Sequence, residues 1–204
     1  MRLATAILVV LSLVASADQV QVPVNSDPIQ RTDADWLVYD DGTAAWLTWG
    51  GVYRGVWFNT GSFVSGTNTA LIEESEFWFF HHSMYPWDTS DVYIEIWDGD
   101  ATQPLTQLDQ TLVTAVHFAP VGTVYSTPVG AGGNFWVLAN TEMSSGGWPA
   151  VLGDSTPGTH SFYSDDFVAW EPWGEMGDYL ISVLATASGS SFEDITWGLL
   201  KATF

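Results

Sequence analysis

Acidic residues gathered in turns are the first groups in this chain whose types and spacing could do chemistry. Asp40-Asp41, Asp98-Gly99-Asp100 and Asp165-Asp166 all fall in segments with turn character. Carboxylate oxygens on loops are the ligands Ca2+ takes, so Asp40, Asp41, Asp98, Asp100, Asp165 and Asp166 suggest calcium as a cofactor. None of the three spells an EF-hand loop, and aspartate favours turns with no metal at all, which is the competing reading. General acid–base work on a glycoside would need two carboxylates about 5 Å apart across a cleft. Glu95 and Asp98 lie three positions apart, which on a strand sets them on opposite faces. Glu74 and Glu76 share a face, and a solvated sheet edge explains them equally well.

Other constellations are weaker. His81-His82, with Met84 nearby, would point to opposite sides of a strand and make a poor metal pair; His117 and His160 stand alone. The chain has no cysteine, which excludes disulfides and thiolate metal sites. No G-x-S-x-G elbow is present. Gly130-Ala131-Gly132-Gly133 precedes a strand and not a helix, so it is no phosphate cradle. No catalytic residue is assigned on these grounds.

The aromatic set says more. There are 12 tryptophans in 204 residues. Tyr85, Trp87, Trp148, Trp170 and Trp173 lie in or beside segments rich in Pro and Gly, where they could stack on sugar rings or anchor a protein interface. Their plainer role would be to close the ends of a core.

The elements that must position these groups read as strands. Helical periodicity is almost absent, and alternating or β-branched and aromatic runs recur. D-V-Y-I-E-I-W (residues 91–97) sets Val92, Ile94 and Ile96 on one face and Tyr93, Glu95 and Trp97 on the other. Residues 35–39 and 44–49 read as a hairpin joined by Asp40-Asp41-Gly42-Thr43. Further strands are expected over residues 52–58, 70–80, 112–118, 121–126, 135–139, 160–163, 167–170 and 178–184. About ten to twelve short strands at this spacing predict an all-β, antiparallel, jelly-roll-like sandwich.

Residues 1–17 read as a signal peptide: Arg2, an apolar stretch, then Ala15-Ser16-Ala17. That predicts a secreted or cell-surface protein with no membrane insertion. Residues 18–34 form a polar leader or an edge strand, residues 35–187 the sandwich, and residues 188–204 a hinge and an apolar tail. Trp197, Leu199, Leu200 and Phe204 in that tail are candidates for assembly contacts. The formal net charge of −20, from 4 Lys+Arg against 24 Asp+Glu, disfavours nucleic acid and anionic membranes as partners. With 47% hydrophobic and 14% charged residues, the chain has the composition of a folded protein.

Five stretches carry a resemblance. They are Y-D-D-G-T-A-A-W (39–46), V-Y-I-E-I-W-D-G (92–99), F-W-V-L-A-N (135–140), H-S-F-Y-S-D-D-F-V-A-W-E-P (160–172) and G-D-Y-L-I-S-V (177–183). Together they make the chain similar to jelly-roll modules of secreted and cell-surface bacterial proteins. The resemblance implies a non-catalytic accessory or surface domain. Glu95-Ile96-Trp97-Asp98 also resembles the E-x-D-x-x-E signature of one glycosidase family, with the second acid displaced by one residue.

Three functions are in play from sequence. The first is a non-catalytic extracellular binding or adhesion module for a polysaccharide or cell-surface protein. The second is a structural subunit that partners itself as a homopolymer, adding a strand to a neighbour's sheet edge. The third, ranked last, is a glycoside hydrolase.

Overall fold

The computed structural model describes residues 20–24, 36–49, 51–173 and 177–189. The expected signal peptide and the tail residues Trp197, Leu199, Leu200 and Phe204 lie outside them. The described residues are nearly all β, with one short helix among them, and the antiparallel sheets pack against each other.

One layer is a six-stranded sheet. Its strands are β4 (Tyr53–Asn59), β6 (Asp91–Gly99), β7 (Pro104–Thr114), β9 (Asn134–Asn140), β11 (Ser161–Ser164) and β12 (Glu171–Pro172). They run in the order β12-β11-β4-β9-β6-β7. The facing layer is a four-stranded sheet, β2-β13-β5-β8, made of β2 (Trp36–Leu37), β13 (Ile181–Ser188), β5 (Thr69–Trp78) and β8 (Pro120–Gly132). A three-stranded sheet of β1 (Val20–Pro23), β3 (Trp46–Trp49) and β10 (Val151–Gly153) meets it through the bridges Phe79–Val151 and Gly153–Tyr179. The helix α1 (Thr60–Phe63) follows β4, and Asn59 caps it by accepting the Ser62 amide.

Period-two alternation explains the core. Val56 and Phe58 of β4, Val92, Ile94 and Ile96 of β6, and Phe135 and Val137 of β9 are all fully buried and face Ile72, Phe77, Ile181 and Val183 of the other layer. Each such side chain contributes about 1.5–3 kcal/mol on burial. The opposite parity of the same strands faces outward: Tyr53 and Trp57, Glu95 and Trp97, Trp136, Leu138 and Asn140. β9 is buried at six of its seven positions, as befits the strand between β4 and β6. Among the described residues no helix is long and apolar enough to cross a membrane.

Three expected elements differ. Asp40-Asp41-Gly42-Thr43 does not close a hairpin, because β2 pairs with β13 whereas β3 pairs with β1 and β10. The aspartates explain why: Asp40 Oδ1 accepts the Gly42 amide at 2.9 Å and the Asp41 amide donates to Asp154 Oδ2 at 2.9 Å, carrying the chain from one sheet to the next. Residues 167–170 form a turn and not a strand, since Asp166 Oδ1 accepts the amides of Val168 and Ala169 at 2.8 and 3.0 Å. The strand expected over 112–118 ends at Thr114 and begins at Pro104, where polar residues hid it from a hydrophobicity pattern. The polar leader contributes β1, an edge strand on β3.

Candidate functional site

The outer face of the six-stranded sheet assembles a polar cluster beside a wall of rings. Glu95 sits at its centre, only 2% exposed. Its Oε2 accepts the indole N–H of Trp97 at 2.7 Å, and its Oε1 accepts Gln110 Nε2 and Asn140 Nδ2, both at 2.8 Å. Strand pairing makes this possible, because Gln110 of β7 lies directly across from Glu95 and Asn140 of β9 pairs with Tyr93 one step along. A buried carboxylate is tolerable when charge-assisted N–H bonds replace its water, and three do so here.

A second acid joins the first. Asn140 Oδ1 accepts the amide of Glu142 at 2.9 Å, turning the chain at the end of β9, and Asn140 Nδ2 lies 3.4 Å from Glu142 Oε2. The Tyr53 hydroxyl donates to Glu142 Oε1 at 2.7 Å. Burial, reinforced by the Glu142 carboxylate, raises the Tyr53 pKa and keeps that hydroxyl a donor. Glu142 and Gln110 are exposed, so their free valences face solvent, while Glu95 and Asn140 hold them from behind.

The rings come from the 165–170 turn. Phe167 lies edge-on to Tyr53 with centroids 4.8 Å apart and sits 4.5 Å from Trp97. Trp170 packs on Trp136 at 5.2 Å, over a satellite core of Trp136, Leu138 and Phe162. Arg54 sets the neighbouring loop: fully buried, its Nη2 donates to the carbonyls of Gly147 at 2.7 Å and Gly51 at 3.3 Å. Burial pulls its pKa down to about 10, which leaves it charged at neutral pH.

Of the five sequence candidates, Trp170 alone belongs to this face. Tyr85 and Trp148 meet elsewhere, on Trp49, at 4.8 and 4.9 Å, closing one end of the sandwich beneath β3. Trp87 donates its indole N–H to Phe80 O at 3.2 Å and packs against the main core. Trp173 is 4% exposed and stacks on Tyr179 at 4.6 Å, so its ring is core and presents no surface to a ligand.

Four of the six aspartates, Asp40, Asp41, Asp100 and Asp166, accept amides of their own turns, while Asp98 of β6 reaches across to β8. Besides Asp40, Asp41 Oδ1 accepts the Thr43 amide, Asp100 Oδ1 the amides of Thr102 and Gln103, and Asp98 Oδ1 the Gly132 amide. Asp166 caps its turn as above, and Asp165 stands next to it, its pKa raised by burial and by the Asp166 charge. The structure does not bring the three pairs together, and no cluster of three or more His, Asp or Glu with metal-binding geometry occurs among the described residues. Two histidines accept backbone amides: His117 Nδ1 takes the His81 amide at 3.0 Å and His82 Nδ1 the Met84 amide at 3.2 Å.

Sequence reasoning missed Tyr53, Trp97, Gln110, Asn140 and Glu142 as site residues. Only the alternation of residues 91–97 signalled any of them, by placing Trp97 and Glu95 on one face. The chain matches no protein-family model, no curated protein and no solved structure.

Proposed function

We propose that this protein is a secreted, non-catalytic binding module whose outer sheet face holds a neutral or amino polysaccharide. The observation that carries the reading is the Glu95–Asn140–Glu142–Tyr53 network set directly beside Trp97, Phe167 and Trp170. Sugar recognition needs carboxylate and amide groups in fixed positions for hydroxyls, and aromatic rings for the apolar faces of the sugar. Here the acceptors are locked before any ligand arrives, which lowers the ordering cost of binding. The anionic surface disfavours acidic glycans and leaves neutral or amino sugars as the class.

Both oxygens of Glu95 are taken by N–H donors and the group is almost sealed from solvent, an arrangement suited to positioning and poorly suited to attack on a glycosidic bond. The test is a panel of neutral, amino and acidic polysaccharides read by affinity electrophoresis and calorimetry. Retardation by a neutral or amino polysaccharide, lost in Glu142→Gln and kept in Trp148→Ala, supports the reading. Binding that is indifferent to Glu142, or no binding across the panel, removes it.

A further inference from the structure

Two rings of the outer sheet face give their polar hydrogens to carboxylates. The Tyr53 hydroxyl donates to Glu142 Oε1 and the Trp97 indole N–H donates to Glu95 Oε2, each at 2.7 Å. Phe167 touches both rings, with centroids 4.8 Å from Tyr53 and 4.5 Å from Trp97. Trp170 completes the group, 5.4 Å from Phe167 and 6.2 Å from Tyr53. All four are half-buried and keep part of their surface in solvent. A phenol or indole that donates to an anion gains electron density in its ring, and the ring face is already the negative pole of the aromatic quadrupole. Such faces attract cations.

The backbone is bent to place Phe167 there. Its φ is +64°, in the left-handed region that bulky side chains rarely adopt. The Phe167 amide donates to Ser164 Oγ at 3.0 Å, and the Trp170 indole N–H donates to the Phe167 carbonyl at 3.3 Å. Strain of this kind persists where the surroundings over-determine it, as they do at ligand sites. Negative charge surrounds the rings. Glu142 is exposed beside Tyr53, and exposed Asp165 and Asp166 open the turn that carries Phe167. Arg54, the one Lys or Arg among the described residues, has the opposite parity to Tyr53 on β4, and its Nη2 goes to the carbonyls of Gly51 and Gly147.

We propose, resting on the binding function proposed for this face, that its ligand is cationic: a polysaccharide whose sugars carry free, protonated amines. The ammonium lies against Glu142 and the Tyr53 ring, and the apolar face of the sugar lies on Phe167 and Trp97. N-acetylation removes the charge and adds bulk at the same nitrogen, so the site discriminates against it.

The experiment uses residues 18–204, the chain after the expected signal peptide. Calorimetry compares three oligosaccharides of equal length at a mildly acidic pH: a glucan, an oligomer of glucosamine, and the same oligomer fully N-acetylated. Oligolysine of matching charge reports what the acidic surface binds by charge alone. The glucosamine oligomer should bind about tenfold more tightly than either uncharged one. Glu142→Gln should erase that preference, and Phe167→Leu should weaken binding several-fold, with circular dichroism showing that both variants fold. Glu142→Gln alters only an exposed group, so it decides the matter where Phe167→Leu does not fold. Equal or tighter binding of the glucan or the N-acetylated oligomer, lost in Glu142→Gln, overturns the cationic ligand and leaves the binding module standing. A preference for glucosamine that oligolysine matches and Glu142→Gln leaves intact overturns it as well. No binding of the glucosamine oligomer overturns the proposal, and only silence across the wider polysaccharide panel removes the function on which it rests.

Discussion

Trp97 and Glu95, two residues apart on one face of β6, are joined by a 2.7 Å hydrogen bond from indole nitrogen to carboxylate. Trp78 and Glu76 repeat the arrangement on β5 at 2.8 Å. On β6 the acid is buried and also takes Gln110 and Asn140, so it orients an exposed amide and a ring at once.

Replacing Glu95 with Gln should therefore affect both stability and ligand. The new Nε2 must face at least one N–H that the carboxylate accepted, leaving donors unpaired. Loss of one satisfied, charge-assisted bond in a buried site costs about 1–3 kcal/mol. Denaturant unfolding should show that loss, and calorimetry should show weakened polysaccharide binding. Glu95→Gln with parental stability would mean that the network does not hold the site.

Tyr53→Phe isolates the second acid. It removes only the hydroxyl that donates to Glu142 Oε1. Glu142 is exposed, so water can replace the lost bond and stability should fall by less than about 1 kcal/mol. Ligand affinity should drop several-fold, because the carboxylate is no longer held in one rotamer. Equal losses of stability and affinity would show that Tyr53 acts through the fold alone.

Much of the sandwich was legible in sequence because period-two alternation is strong wherever a strand has one buried face. Val92, Ile94 and Ile96 show it plainly. The candidate site was less legible because its members are polar or half-buried and come from β4, β6, β7, the end of β9 and a turn. Asn140 and Glu142 stand far from Glu95 in sequence, and only strand pairing brings them together. The hairpin misreading has a similar origin: Asp-Gly marks a turn, but the Asp41 amide binds Asp154 far along the chain, and nothing local reveals that. Trp173 looked exposed through its polar and proline neighbours, yet its stacking on Tyr179 places it in the core.

Asp154 gives the fold a measurable pH response. Burial raises its pKa to about 6 from 3.8, although its oxygens accept the amides of Asp178, Asp41 and Thr156. The folded state then holds a proton that the unfolded state releases, so this group's contribution is full below pH 3.8 and is lost as pH rises through 6. About two pKa units correspond to roughly 2–3 kcal/mol. Asp165, also raised, acts in the same direction. His160, whose pKa burial lowers, opposes it below pH 6.5, while Asp88, Asp100 and Asp166, all lowered, act below pH 4. The Asp154→Asn variant separates these contributions. Its stability relative to the parent should improve between pH 4 and 7 and then level off, whatever its constant offset. A pH-independent difference would show that Asp154 titrates alike in both states.

Arg54 should prove to be the support on which the 141–147 loop rests. Its guanidinium reaches the carbonyls of both Gly51 and Gly147, and Thr141 adds its own bond to Val52 O at 2.8 Å. Arg54→Lys keeps a charge but replaces a planar fork with a single ammonium, which cannot span both carbonyls in the same way. Leaving a buried cation with fewer partners costs up to about 3–5 kcal/mol by analogy with broken buried charge pairs. Hydrogen exchange should show the amides of residues 141–147 losing protection more than those of β6, the site's other half. Because Glu142 is carried on this loop, ligand affinity should fall as well. Uniform deprotection of the whole sheet would instead mark Arg54 as part of the general core.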